Sequence, residues 1–217
     1  MAKKELYINY DIEGTFWELN GGSLTKVKTD LKDLKLEDEL SVIINTYGGD
    51  IFEAISVRDF LHSLPNKKSI TVSGICASAG TIILLSFDNV KITKNSFVMF
   101  HNAITECYGN KYDFEKRLKL LNQIDDELLK NCKEKLIKKV DNLEELIKNE
   151  WWLSANDFVS YFGGQLIENR DMENKAKVKN TLFKETMLKF EKLKNNGSNK
   201  RPFNLEKFKS FYKNESK

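Results

Sequence analysis

The stretch "GICASAGTI", residues 74–82, carries one serine, Ser78, among side chains that are, Thr81 apart, small or apolar. A serine in such a run is either a nucleophile or a small residue that lets two backbones pack closely. The G-x-S-x-G elbow does not decide between them, because Cys76 stands where its first glycine would be. A nucleophilic serine needs a base to take its proton, and the chain has two histidines to offer. His62, between Leu61 and Ser63 at the end of an amphipathic segment, reads as a surface residue. His101 ends the apolar run "SFVMFH" and opens a loop, where catalytic side chains tend to be presented, and it is the preferred base. Attack on an amide also requires donors for the developing oxyanion, most readily backbone N–H groups at glycine turns or helix starts. "TYGGD" offers Gly48 or Gly49, and the residue after the serine offers Ala79. Taken alone, the glycine pair is equally explained by turn chemistry.

The elements that must position these residues follow from periodicity. "ELYINYDI" alternates Leu6, Ile8, Tyr10 and Ile12 on one face, a half-buried strand. From Ser23, read as an N-cap, Leu24, Val27, Leu31 and Leu34 recur at helical spacing. "SVII" is a buried strand that runs into "NTYGGD". Asp50 and Glu53 form a capping-box pattern, opening a helix with Ile51, Ala54, Ile55, Val57 and Leu61 on its apolar side, which ends at "LPN". "SITVSGI" is a third strand, "SAGTIILLSF" reads as helical, and "VKIT" and "NSFVMFH" are two more short strands. Helices interleaved with strands predict an α/β fold with a largely parallel sheet. After Gly109 the spacing predicts one long helix, about 112–138, with Phe114, Leu118, Leu121, Ile124, Leu128, Cys132 and Leu136 on one stripe. That stripe must be covered by the domain or by another subunit. "DNLEELIKN" predicts a short helix capped by Asp141, and "WWLSANDFVSYFGG" contains a cap at Ser154 and a glycine stop.

The 217 residues suffice for one domain of about 170 residues with an appendage. Hydrophobic residues at 41% and charged residues at 31% exclude general disorder and describe an ordinary globular surface. The opening "MAKKELYINYDIEG" has no signal-peptide core, and no run approaches the roughly 18 apolar residues of a membrane span, so a cytoplasmic protein is expected. Cys76, Cys107 and Cys132 are odd in number and lack C-x-x-C spacing, which predicts reduced thiols and no zinc site; no metal or cofactor is expected. The charge is unevenly spread. Residues 169–217 hold 14 Lys plus Arg against 6 Asp plus Glu, and residues 1–168 hold 21 against 26. The division expected is therefore a domain over 1–168 and a basic, partly helical extension over 169–217, a solvated tail rather than a nucleic-acid arm.

A Gly-Gly turn after a strand, a serine about thirty residues on, and a histidine at a strand end about twenty beyond it share one order and spacing. In these features the sequence resembles the Clp-type serine peptidases. "INTYGGDIFEAISVRDFL" is similar to the family's glycine turn and helix, "GICASAG" to its nucleophile segment, and "NSFVMFHNAITECYGN" to the strand and loop that carry its histidine. The likeness runs from about Leu6 to Asn169. It implies Ser78 as nucleophile, His101 as general base and acid, and Gly48 or Gly49 with Ala79 as oxyanion donors. The third acid implied is Glu150, five residues before the alanine of "LSA", where the family has aspartate; Asp157 and Asp171 are the alternatives. Tyr47 stands where the family has proline beside the glycine pair, and Ala79 where cellular members often have methionine.

The resemblance also implies the ClpP/crotonase-like repeated ββα superhelix. The helix near 112–138 would be the handle through which rings of subunits meet, as heptamers or stacked rings. "GGDIFEA", "YGN" and "WWLSA" look most like the phage and prophage members, which mature capsids, so scaffold or capsid proteins are the expected substrates. The short N-terminal segment argues against a partner ATPase. The alternatives are a degradative chamber working with an ATPase, a crotonase-type acyl-CoA enzyme, and an inactive ring-forming assembly subunit.

Overall fold

Side chains that alternate toward the core in the sequence line up across neighbouring strands as continuous rows. In the computed structural model, which describes residues 2–14 and 22–168, Ile8, Ile44, Val72, Ile92 and Leu166 form one row across five strands. The first four of these are fully buried. Burying each such side chain contributes on the order of 1.5–3 kcal/mol, so the row fixes register as well as stability.

The strands are β1 (Lys3–Ile8), β2 (Glu39–Thr46), β3 (Lys68–Ala77), β4 (Val90–Thr93), β5 (Phe97–Phe100), β6 (Trp151–Ser154) and β7 (Gln165–Ile167). The order β1-β2-β3-β4-β7 is parallel throughout. The helices are α1 (Ser23–Asp30), α2 (Ile51–Ser63), α3 (Gly80–Leu84), α4 (Lys111–Lys135), α5 (Leu143–Lys148) and α6 (Ala155–Phe162). The predicted mixed α/β architecture with a parallel sheet is therefore present. Among the described residues no helix is long and apolar enough to cross a membrane. The expected basic extension and Asp171 lie outside the described residues.

β3 is the strand that builds the site, because it divides. Its first half pairs with β4 through Ile70, Thr71 and Val72, and its second half pairs with β5 through Ile75, Cys76 and Ala77. The change of partner falls at Gly74, whose φ of 107° is open only to glycine at low cost. Asn45 Oδ1 accepts the Ile75 N–H at 3.0 Å, and Ser96 Oγ accepts that of Gly74 at 2.8 Å, so the break leaves neither donor bare.

Several local expectations are corrected. Gly22, not Ser23, is the N-cap of α1, and buried Ser23 turns its Oγ to accept from the Glu13 N–H. Asp50 does cap α2 by accepting from the Glu53 N–H, but the Glu53 carboxylate accepts from the Leu24 N–H instead of closing the box. This ties the start of α2 to α1. The cap of α5 is Asn142, with φ at 55°, rather than Asp141. α3 is shorter than "SAGTIILLSF" suggests, and the strand β6 was not expected. β6 lies antiparallel on β5, burying Trp151 and Leu153.

Candidate active site

Ser78 and His101 leave the ends of two paired strands. Cys76 pairs with Val98 and Ala77 with Met99, and the ladder continues as the Ser78 N–H donates to Met99 O at 2.9 Å. From that register the two side chains converge. Ser78 Oγ and His101 Nε2 lie 2.6 Å apart, so with the proton on Nδ1 the hydroxyl donates to Nε2. Ser78 has φ at 54°, a left-handed conformation that costs a non-glycine residue on the order of 1–3 kcal/mol. The surrounding bonds hold it there: its carbonyl accepts from both the N–H and the hydroxyl of Thr81, at 2.9 and 2.6 Å.

The glycine turn packs against this elbow. A Cβ added to Gly48 would lie 2.7 Å from both Ala77 O and Ser78 Cβ, and 2.9 Å from Ala79 N. The turn is pinned by Ile12, whose N–H donates to Gly48 O at 2.8 Å and whose carbonyl accepts from the Asp50 N–H at 2.7 Å. The Gly48 N–H is occupied, donating to Thr46 Oγ1 at 3.1 Å. The N–H groups of Gly49 and Ala79 have no acceptor among the described residues. Of the two glycines left open by the sequence, Gly49 is thus the one with a free donor.

The acids are arranged differently from the expectation. Glu150, with φ at 62°, turns its carboxylate to accept from Trp152 Nε1 at 3.2 Å, and it forms no hydrogen bond with His101. Asp157 is committed to the N-cap of α6, accepting from Ser154 Oγ at 2.6 Å. A third carboxylate does meet the histidine loop: Asp125, on α4, accepts from Asn102 Nδ2 at 2.9 Å and from the Ala103 N–H at 2.7 Å. No local mark in the sequence singles it out, since "QIDDELL" looks like an ordinary charged helix face. His62, in contrast, is exposed at the end of α2.

Burial lowers the His101 pKa below its ordinary value, against the opposing pull of Glu150 and then Asp125. A base must be neutral to accept a proton, so His101 is competent at pH 7 and loses competence only as pH falls through its depressed pKa. The rate of Ser78 acylation is expected to rise along a single acidic limb with its midpoint below 6.5, read from probe labelling between about pH 5 and 8. Cys76 offers no rival nucleophile: it is fully buried, and burial pushes its thiol pKa far up.

A cleft of about 930 Å³ opens from the Ser78–His101 pair, with Phe52, Ile104, Leu121 and Ile124 among its lining. Among the described residues no three His, Cys, Asp or Glu side chains gather into a set that could hold a metal ion. Chemically the arrangement offers an activated hydroxyl, a neutral base and two unpaired N–H donors beside a mainly apolar groove.

Comparison with known proteins points the same way. A family model described as Clp protease matches residues 29–170. The chain is 27% identical over 124 residues to ATP-dependent Clp protease proteolytic subunit 1 of Salinibacter ruber, covering 56% of this chain and 53% of that protein. It is 26% identical over 95 residues to the ATP-dependent Clp protease proteolytic subunit of Deinococcus radiodurans, covering 43% and 47%. Against subunit 2 of Bacillus licheniformis it is 24% identical over 150 residues, covering 66% and 78%. The chain thus spans about half the length of the first two relatives. Because the family match takes in more than half of its residues, the chain belongs to the Clp protease family.

Proposed function

We propose that this chain is a serine endopeptidase that cuts protein substrates through an acyl-enzyme. The observation that carries the reading is the 2.6 Å approach of His101 Nε2 to Ser78 Oγ. Ser78 Oγ attacks the scissile carbonyl carbon while His101 takes the hydroxyl proton. The oxyanion is received by the N–H groups of Gly49 and Ala79. As the C–N bond breaks, His101 returns the proton to the leaving amine, and it then deprotonates the water that releases the acyl group from Ser78. The substrate lies as an extended strand beside the glycine turn, with its side chains in the apolar cleft.

Glu150 takes the part of the third acid through its field on the imidazole rather than through a hydrogen bond. Glu150→Gln is accordingly expected to slow turnover by about tenfold or less. A loss near the roughly 10⁴-fold seen when a triad aspartate is neutralised would mean that Glu150 swings onto His101 in the working enzyme.

The subunits are proposed to assemble as a homo-oligomeric ring, in which the exposed Tyr112, Phe114 and Leu118 of α4, the handle of the resemblance, are covered by a neighbour. The finer reading is a head-maturation protease of phage or prophage type acting on scaffold or capsid proteins, supported by the likeness of "GGDIFEA", "YGN" and "WWLSA" to those members. The test is intact mass and peptide mapping after a fluorophosphonate, followed by assay on folded and unfolded protein substrates. One adduct per chain on Ser78, with cleavage independent of any ATPase, is the expected result. A folded protein that takes no adduct overturns the peptidase reading, and degradation only with an added unfoldase overturns the maturation reading.

A further inference from the structure

The carboxylate that reaches the histidine segment comes from the long helix. Asp125 is half-buried in the middle of α4, and each of its oxygens receives one donor from the two residues that follow His101: Asn102 Nδ2 on Oδ2 and the Ala103 N–H on Oδ1. β5 ends at Phe100, so beyond that point the sheet no longer dictates where the chain goes. On one side the imidazole is anchored by the stacking of Phe100 against Phe162 and its contact with Trp151. On the other, its backbone continues into a segment without regular structure until α4 begins at Lys111. The first strong restraint on that side is the fork on Asp125. Nδ1 of His101 makes no hydrogen bond among the described residues, so no side chain orients the ring through its far nitrogen.

We propose that Asp125 is the positioning residue of the site, clamping residues 102 and 103 to α4 so that the His101 imidazole is held in line with Ser78. A charge-assisted pair of hydrogen bonds to one backbone and one side-chain donor restrains both the path and the rotation of the loop. The 2.6 Å contact between Ser78 and His101 depends on that restraint, since misplacement by about 1 Å can cost on the order of a hundredfold in rate. The assignment rests on reading Ser78 and His101 as the reacting pair. It makes α4 part of the catalytic geometry, because a shift of the helix would be passed to the base through two hydrogen bonds.

Asp125→Asn tests this with little change of shape. The new amide can keep the Ala103 bond, and the Asn102 amide can flip to face it, so the fold is retained while the charge-assisted fork is lost. Two readings are needed. The first is a nuclear magnetic resonance titration of the imidazole, practicable because the chain has only two histidines. The charges facing His101 are Glu150 and Asp125, so Asp125→Asn should move its midpoint down, whereas Asp126→Asn, on the exposed side of the same turn, should leave it in place. The second is the rate of fluorophosphonate labelling, expected to fall about tenfold or more in both Asp125→Asn and Asn102→Ala, with the double variant no slower than the worse single one. A wild-type midpoint together with a wild-type rate in Asp125→Asn overturns the assignment. A wild type that takes no label overturns the peptidase reading instead, and the titration midpoint still decides whether Asp125 acts on His101.

Discussion

Replacing His101 by alanine is expected to slow fluorophosphonate acylation of Ser78 by on the order of 10⁴ to 10⁶, with the fold intact. The size of the loss follows from what remains. The hydroxyl is barely ionised near pH 7, and with Nε2 gone nothing within reach takes its proton. His62 cannot substitute, since it is exposed at the C-terminal end of α2 and outside hydrogen-bond reach of Ser78. Buried Cys76, protonated two residues before the serine, cannot replace it as nucleophile. Ser78→Ala should be as severe, and the double variant no worse than either single one, because the two side chains act as one device. Labelling rates by intact mass, with circular dichroism to confirm folding, provide the check. A fall of less than about a hundredfold in His101→Ala would show that the proton leaves by another route.

The second large effect is expected at Gly48. In Gly48→Ala the new methyl would meet the Ala77 carbonyl and Ser78 Cβ at 2.7 Å and Ala79 N at 2.9 Å, at a φ of 102°. Two of these neighbours are backbone, so the relief must come from the turn or the elbow moving. Either movement separates the Gly49 and Ala79 donors from the point where an oxyanion would form, and losing one such donor costs on the order of 10² to 10³ in kcat. Gly163→Ala is the control. Its φ of 76° imposes backbone strain, but the nearest atoms to a Cβ are Ile137 methyls at ordinary van der Waals distances of 3.7 and 3.8 Å, and neither belongs to the glycine turn or the Ser78 elbow. It should lower Tm by a few degrees and leave kcat unchanged. If Gly48→Ala keeps kcat while losing only stability, the turn is structural and the oxyanion donors lie elsewhere.

What the sequence reveals and what it hides divide along physical lines. Ser78 and His101 are recognisable because each sits where a strand pattern breaks, and strand ends are readable from periodicity. α6 is readable because Ser154 and Asp157 announce its start three residues apart. The choice between Gly48 and Gly49 is not readable, since it depends on the Thr46 hydroxyl turning back to occupy one N–H. β6 is only four residues long and gains its identity from pairing with β5, which no local pattern encodes. The orientation of Glu150 depends on its positive φ and on the indole of Trp152, both tertiary outcomes. Asp125 is the sharpest case: a carboxylate in a charged amphipathic helix has no local mark that separates it from Asp126, and only the packing of α4 near the 102–103 segment does so.

The ladder between β3 and β5 also has a consequence for how this region can vary. The gap between Ser78 and His101 is set by the rung that joins Ala77 to Met99, so it behaves like a mark on a ruler with divisions of about 3.3 Å. A residue added or removed between Gly74 and Ser78, or between Phe97 and His101, moves one mark by a whole division and sends the side chain to the opposite face. No intermediate setting exists. Drift in these two segments is therefore confined to exchanges of one side chain for another, and changes of length must be absorbed outside them, where they leave the reading of the ruler untouched.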